Sequence, residues 1–216
     1  MMFNRTDGDE AFHDWLDSEF SWRRIELSYY ERAVRAANPG AEAMTVRGAI
    51  PILYAHWEGF VKSLGTAYLE FVLSRNKNFD NLKPNFLALG MKKHLHDATS
   101  TLKGRVFVEA CDLILAKRST RAYFLTLDAV ETGSNLGYDL FANILHIVGL
   151  PFRPEYETAR NTIIEPLRQF RNTIAHGKEL VVNTVRYNEL HQKTFALLAL
   201  LRDDLDNAVT LKSYLA

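Results

Sequence analysis

The stretch that decides the fold is "ILYAHWEGFVKSLGTAYLEFVLS", residues 52–74. Large apolar residues fall on nearly every side of a helical wheel: Leu53, Tyr54, Trp57, Phe60, Val61, Leu64, Tyr68, Leu69, Phe71 and Val72. An amphipathic surface helix leaves one face polar, so this pattern predicts a central helix covered on most sides. The segment extends back to about Ala41 and forward to about Arg75. Pro51 falls inside it, which predicts a kink or a restart, because proline lacks the N–H donor and its ring clashes with the preceding turn.

Working outward, the chain reads as helix nearly throughout. A first helix, capped by Asp7 or Asp9, runs to about Ala37 and stops at "NPG" (38–40). After the polar loop 76–85, two shorter helices are predicted over about 84–96 and 100–117. "YFLTLDAV" (123–130) reads as a short strand or an extended connector. Ser134 is positioned to cap a helix over about 135–148, which Gly149 and Pro151 end. A further helix is expected from about Thr158 to His176, with Pro166 marking its start or a bend and Gly177 ending it. The last covers about 184–213. No succession of strands builds a sheet. The expectation is one all-α domain over 1–216, a helical bundle with long antiparallel helices and a few short accessory ones.

Of the 216 residues, 47% are hydrophobic and 24% charged, an ordinary globular balance. Lys plus Arg equal Asp plus Glu at 26 each, so nonspecific coating of nucleic acid by global charge is not expected. Charge is uneven all the same: residues 1–31 carry eight acids against three bases, and residues 92–121 seven bases against three acids. These are solvated helix faces or partner-binding surfaces. No apolar run is long enough for a membrane span, and no signal peptide opens the chain. The single cysteine, Cys111, lies in an apolar run and reads as a small core residue of a cytoplasmic protein.

Chemistry concentrates in "RQFRNTIAHGKEL" (168–180). Asn172 and His176 are four apart and share a helix face. Arg171 lies about 140° from His176 on an ideal helix, within reach of the same edge for a long side chain. A neutral imidazole can take the proton of a ribose 2′-OH, and a guanidinium can hold the phosphate as charge builds. One Arg–His pair supplies half of a base-plus-acid arrangement; a two-fold dimer completes it. With sixteen arginines and seven histidines, chance supplies about half an Arg-x4-His match, so the bare pattern is weak. "RYNELH" (186–191) matches it too and reads as an exposed face. For the first match, a purely structural role is the competing account, with Arg171 and His176 capping a helix end and pairing with Glu179.

Together, "RNTIAHG" (171–177), "LYAHWEGFVK" (53–62) and "TGSNLG" (132–137) resemble, in this order, blocks of the HEPN superfamily, in its MAE-type branch. The resemblance implies a helical fold, a homodimer with facing motifs, and metal-independent endoribonuclease activity in toxin–antitoxin or phage-defence settings, with an antitoxin or defence protein as partner. It implies Arg171, Asn172 and His176 as catalytic residues and places Glu58, and His56 beside it, near the site. Glu58 in its apolar surroundings needs a cation, and Arg171 is a candidate alongside Lys62. The basic stretch 92–121 is a candidate for holding the RNA backbone. No cofactor or metal is expected: His94 and His96 in "KKHLHD" point to opposite sides of a helix. The other function class left open is a noncatalytic helical module binding protein or nucleotide.

Overall fold

A computed structural model describes residues 8–126 and 129–216. Eight α-helices follow in order: α1 (Asp9–Ala36), α2 (Glu42–Ser74), α3 (Pro84–Thr99), α4 (Gly104–Lys117), α5 (Tyr138–Val148), α6 (Pro154–Ala159), α7 (Glu165–Ala175) and α8 (Thr184–Thr210). No strand occurs among the described residues; two isolated bridges, Asn78–Arg121 and Leu82–Leu215, are the nearest approach. The all-α expectation is met.

The helix predicted to be central is central. Seventeen of the 33 residues of α2 are buried, and α1, α5, α7 and α8 all pack on it. Trp57, Phe60, Leu64 and Phe71 are each no more than 1% exposed, and each contributes about 1.5–3 kcal/mol relative to an exposed position. The Trp57 ring meets Phe141 of α5 edge-on at 4.9 Å. Of the kink or restart expected at Pro51, the restart does not occur, since α2 runs through it without interruption.

Several ends differ from expectation. Gly8, not an aspartate, occupies the N-cap of α1; Asp9 is its first helical residue and pairs with Arg75 at 2.8 Å, while Asp7 lies outside the described residues. "YFLTLDAV" forms no strand where it is described; Leu127 and Asp128 lie outside. Ser134 does not cap α5. It sits in the left-handed region (φ 55°), and α5 starts at Tyr138, whose N–H is taken by the Glu165 carboxylate at 2.9 Å. Cys111 is exposed, not core, because α4 turns only Ala110 fully inward. His191 of the decoy "RYNELH" is buried, not exposed, with its Nε2 3.1 Å from the Leu27 carbonyl of α1.

The segment leading to the motif begins earlier than expected, at Pro154, and passes through one π-helical turn, Arg160–Ile164, before α7. Pro166 accounts for it. A proline ring clashes with the carbonyl four residues back, here Thr162, and the widened turn makes room. At the start of this segment the carboxylate of Asp204, buried in α8, accepts from Arg153 Nε and Tyr156 Oη, both at 2.6 Å. Asp204→Ala strands the buried Tyr156 hydroxyl, while Arg153 is open enough to regain water, and is expected to cost about 1–3 kcal/mol in denaturant unfolding.

His56 and His191 are both buried. Burial lowers the pKa of each, only partly offset for His56 by Glu26 and for His191 by Glu31. The unfolded chain therefore binds protons that the folded chain refuses. Stability is full above about pH 6.5 and falls as pH drops below it. Thermal melts at pH 7.5 and 5.5 are expected to give the lower midpoint at pH 5.5; an unchanged or higher one contradicts this.

Candidate active site at the end of the motif helix

The last turn of α7 carries the motif, and its geometry follows from Gly177. His176 is the C-cap, and Gly177 adopts φ 68°. The Gly177 N–H reaches the Ile174 carbonyl and the Lys178 N–H the Thr173 carbonyl, both at 3.0 Å. That pair of bonds closes the helix in a Schellman motif. His176 is thereby held at the rim of the molecule, with its side chain exposed. A Cβ on Gly177 would meet no atom within 4 Å, so the glycine answers a backbone requirement alone.

Arg171 and Asn172 diverge as their positions dictate, and a hydrogen bond reunites them. The Arg171 guanidinium lies over the ring of Tyr54 on α2, 5.2 Å from its centre. Its Nη1 donates to Asn172 Oδ1 at 2.9 Å, and Asn172 Nδ2 donates to Asn135 Oδ1 at 3.1 Å. Each end of the Asn172 amide therefore has one partner, and its orientation is set. Asn135 comes from "TGSNLG", so two blocks separated in sequence meet here. Among the described residues no carboxylate lies within ion-pair distance of Arg171. Glu179 is exposed and pairs with neither Arg171 nor His176, so the capping-and-pairing account of the motif finds no ion pair.

The block "LYAHWEGFVK" divides between two sides of α2. Tyr54 faces the motif, and Glu58, one turn on, shares its side. The Tyr54 hydroxyl lies near Glu58 and the Leu136 backbone. Burial raises its pKa, the Glu58 carboxylate adds to this, and Arg171 opposes it. Glu58 acts on Tyr54 but is not within ion-pair distance of Arg171, so that expected pairing is not formed. His56, two residues from Tyr54, points the other way. It is buried against α1, its Nε2 3.2 Å from Glu26 and its ring 5.3 Å from that of Trp22. The placement of His56 beside the motif is corrected by helical periodicity: residues two apart face nearly opposite sides. The basic stretch 92–121 is carried by α3, α4 and the loop after them. The main neighbour of α4 is α3, whereas the motif helix packs chiefly on α2.

Tyr54 and Asn135 are the neighbours of the motif that residue-by-residue reading left out. Both lie inside blocks whose resemblance was recognisable, but only tertiary packing singles them out. A model of the MAE_28990-like HEPN family matches residues 12–214. The chain belongs to this HEPN family. No curated protein and no solved structure matches it. The match spans the HEPN chain from α1 to the residues after α8, so the fold and the motif lie within one family unit. No helix among the described residues is long and apolar enough to cross a membrane.

Gly177→Val is expected to lower stability by about 1–2 kcal/mol through the left-handed backbone alone, read from the denaturant midpoint. Gly177→Asn should retain most of it, since asparagine tolerates this conformation. Equal losses for both variants contradict the assignment.

Proposed function

We propose that this HEPN protein is an endoribonuclease that cleaves RNA by attack of a ribose 2′-OH on the neighbouring phosphate, without a metal ion. The observation that carries this reading is Arg171: a half-buried guanidinium held against Tyr54 and Asn172, with no carboxylate of the described residues in ion-pair reach, five residues before an exposed imidazole. A cation so placed has donors left for an anion, and two nonbridging oxygens of a phosphate match the paired N–H donors of a guanidinium fork.

The proposed site is composite. A two-fold axis beside the α7 C-termini brings together Arg171, Asn172 and His176 of two copies. One His176 removes the 2′-OH proton, and the oxygen attacks phosphorus. The partner's His176, protonated, gives its proton to the departing 5′-oxygen. The P–O5′ bond breaks, leaving a 2′,3′-cyclic phosphate and a 5′-hydroxyl. The Arg171 side chains hold the nonbridging oxygens, where charge accumulates. Asn172, its amide fixed by Arg171 and Asn135, positions the guanidinium. Family membership supports an RNA-cleaving module, and toxin–antitoxin or phage defence is the proposed setting, with an antitoxin or defence protein holding the activity in check.

Purified protein is expected to cut single-stranded RNA in EDTA with cyclic-phosphate ends. His176→Ala is expected to reduce the rate about 10²–10⁴-fold and Arg171→Ala about 10²–10³-fold. Arg171→Lys should not restore it, because a point charge lacks the fork. Undiminished cutting by His176→Ala would falsify the assignment.

A further inference from the structure

The polar face of α7 does not end at the motif. His176, Asn172, Arg168 and Glu165 follow at helical spacing along one side. Arg168 donates through Nε and Nη2 to Glu165 Oε2 at 3.0 and 2.6 Å, and Glu165 Oε1 accepts the Tyr138 N–H. Gly137 approaches so closely that a Cβ there would lie 3.0 Å from Arg168 Nε. The first residue of α5 is thus pinned to the motif helix, and a surface continuous with the site leads to it.

Beyond Tyr138 an open pocket of about 450 Å³ is lined by Tyr138, Ala142, His146, Leu150 and Phe152. The rings of Tyr138 and Phe152 stand edge-to-face at 6.1 Å, and Phe152 is 47% exposed. Arg160, from the π turn, sets its guanidinium 4.7 Å from the centre of the Tyr138 ring. Its facing carboxylate, Asp139, stands 3.6 Å away and is almost fully solvated. The other acids at hand are engaged: Glu157 accepts the Tyr138 hydroxyl, and Glu165 is held by Arg168.

We infer that this pocket is a nucleobase subsite, taking one base of the RNA strand whose cleavage is proposed above; the inference rests on that reading. A base needs an uncovered aromatic face, which Phe152 offers, and its phosphate needs a cation close by, which Arg160 offers. The eleven residue steps from Glu165 to His176 span about 16 Å of helix, about five stacked nucleotide steps and fewer for an extended strand. The bound base lies several positions from the scissile phosphate and contributes to the choice of cut site.

The test uses the His176→Ala protein, which leaves the strand intact, and a fluorescein-labelled 12-nucleotide single-stranded RNA. Adding Phe152→Ala is expected to weaken binding about 5- to 150-fold, whereas Phe152→Trp retains it. Abasic substitution along the RNA should reveal one position whose loss weakens binding to the Phe152 protein and costs nothing further in the Phe152→Ala protein. With His176 present, Phe152→Ala should raise KM and leave kcat within a few-fold. Unchanged affinity in Phe152→Ala, an abasic penalty independent of Phe152, or no RNA binding at all overturns the subsite. Failure of the ribonuclease reading looks different: wild-type protein that binds RNA with the Phe152 dependence but does not cut it retains the subsite and loses the catalysis.

Discussion

The burial of α2 is the constraint on which the rest depends. A helix apolar around most of its girth cannot stand at a surface, so other helices must cover it. The covering helices α1, α5, α7 and α8 take their places from that demand. The motif is a consequence of the same packing. Because α7 lies against α2, Arg171 meets Tyr54 and cannot extend freely into water. Because α5 also lies against α2, the loop before it brings Asn135 to Asn172. Two blocks far apart in sequence thus meet on the helix that carries the third.

Local backbone devices then refine the placement. The π turn at 160–164 absorbs Pro166 just before the motif helix. Gly177 ends that helix abruptly and leaves His176 on the rim. Between these two devices α7 is a short helix of 11 residues. Its inner side packs on the core through the fully buried Leu167, and its outer side carries polar groups. The chain after Gly177 is also tied down, with the Thr184 N–H bonded to the Glu42 carboxylate at the start of α2 at 3.0 Å. The end of the motif helix is therefore held from both directions.

What the sequence made legible follows from how local each signal is. The all-α class, the centrality of α2 and the stop at Gly177 are written in periodicity and in single residues, and the structure has them. The placement of the motif at the end of its helix was legible for the same reason. The errors lie where tertiary contacts override local pattern. Ser134 is a good cap by composition, but the Glu165 carboxylate, 27 residues beyond Tyr138, takes the first N–H of α5 instead. Cys111 sits in an apolar run, yet α4 turns that stripe outward. His56 lies within the same quoted block as Tyr54 but on the opposite side of the helix, a distinction that angular position supplies and proximity in sequence conceals. The Tyr54–Arg171 contact needed both helices in place before it existed at all.

In the proposed enzyme two copies meet with their α7 C-termini facing. Distance measurement between spin labels tests it most directly, in protein whose exposed Cys111 is replaced by serine. Labels on Lys178→Cys, beside the motif, are expected to give the short intermolecular distance, and labels on Leu102→Cys, before α4, the long one. The reverse order, or no intermolecular coupling at either position, contradicts the composite site.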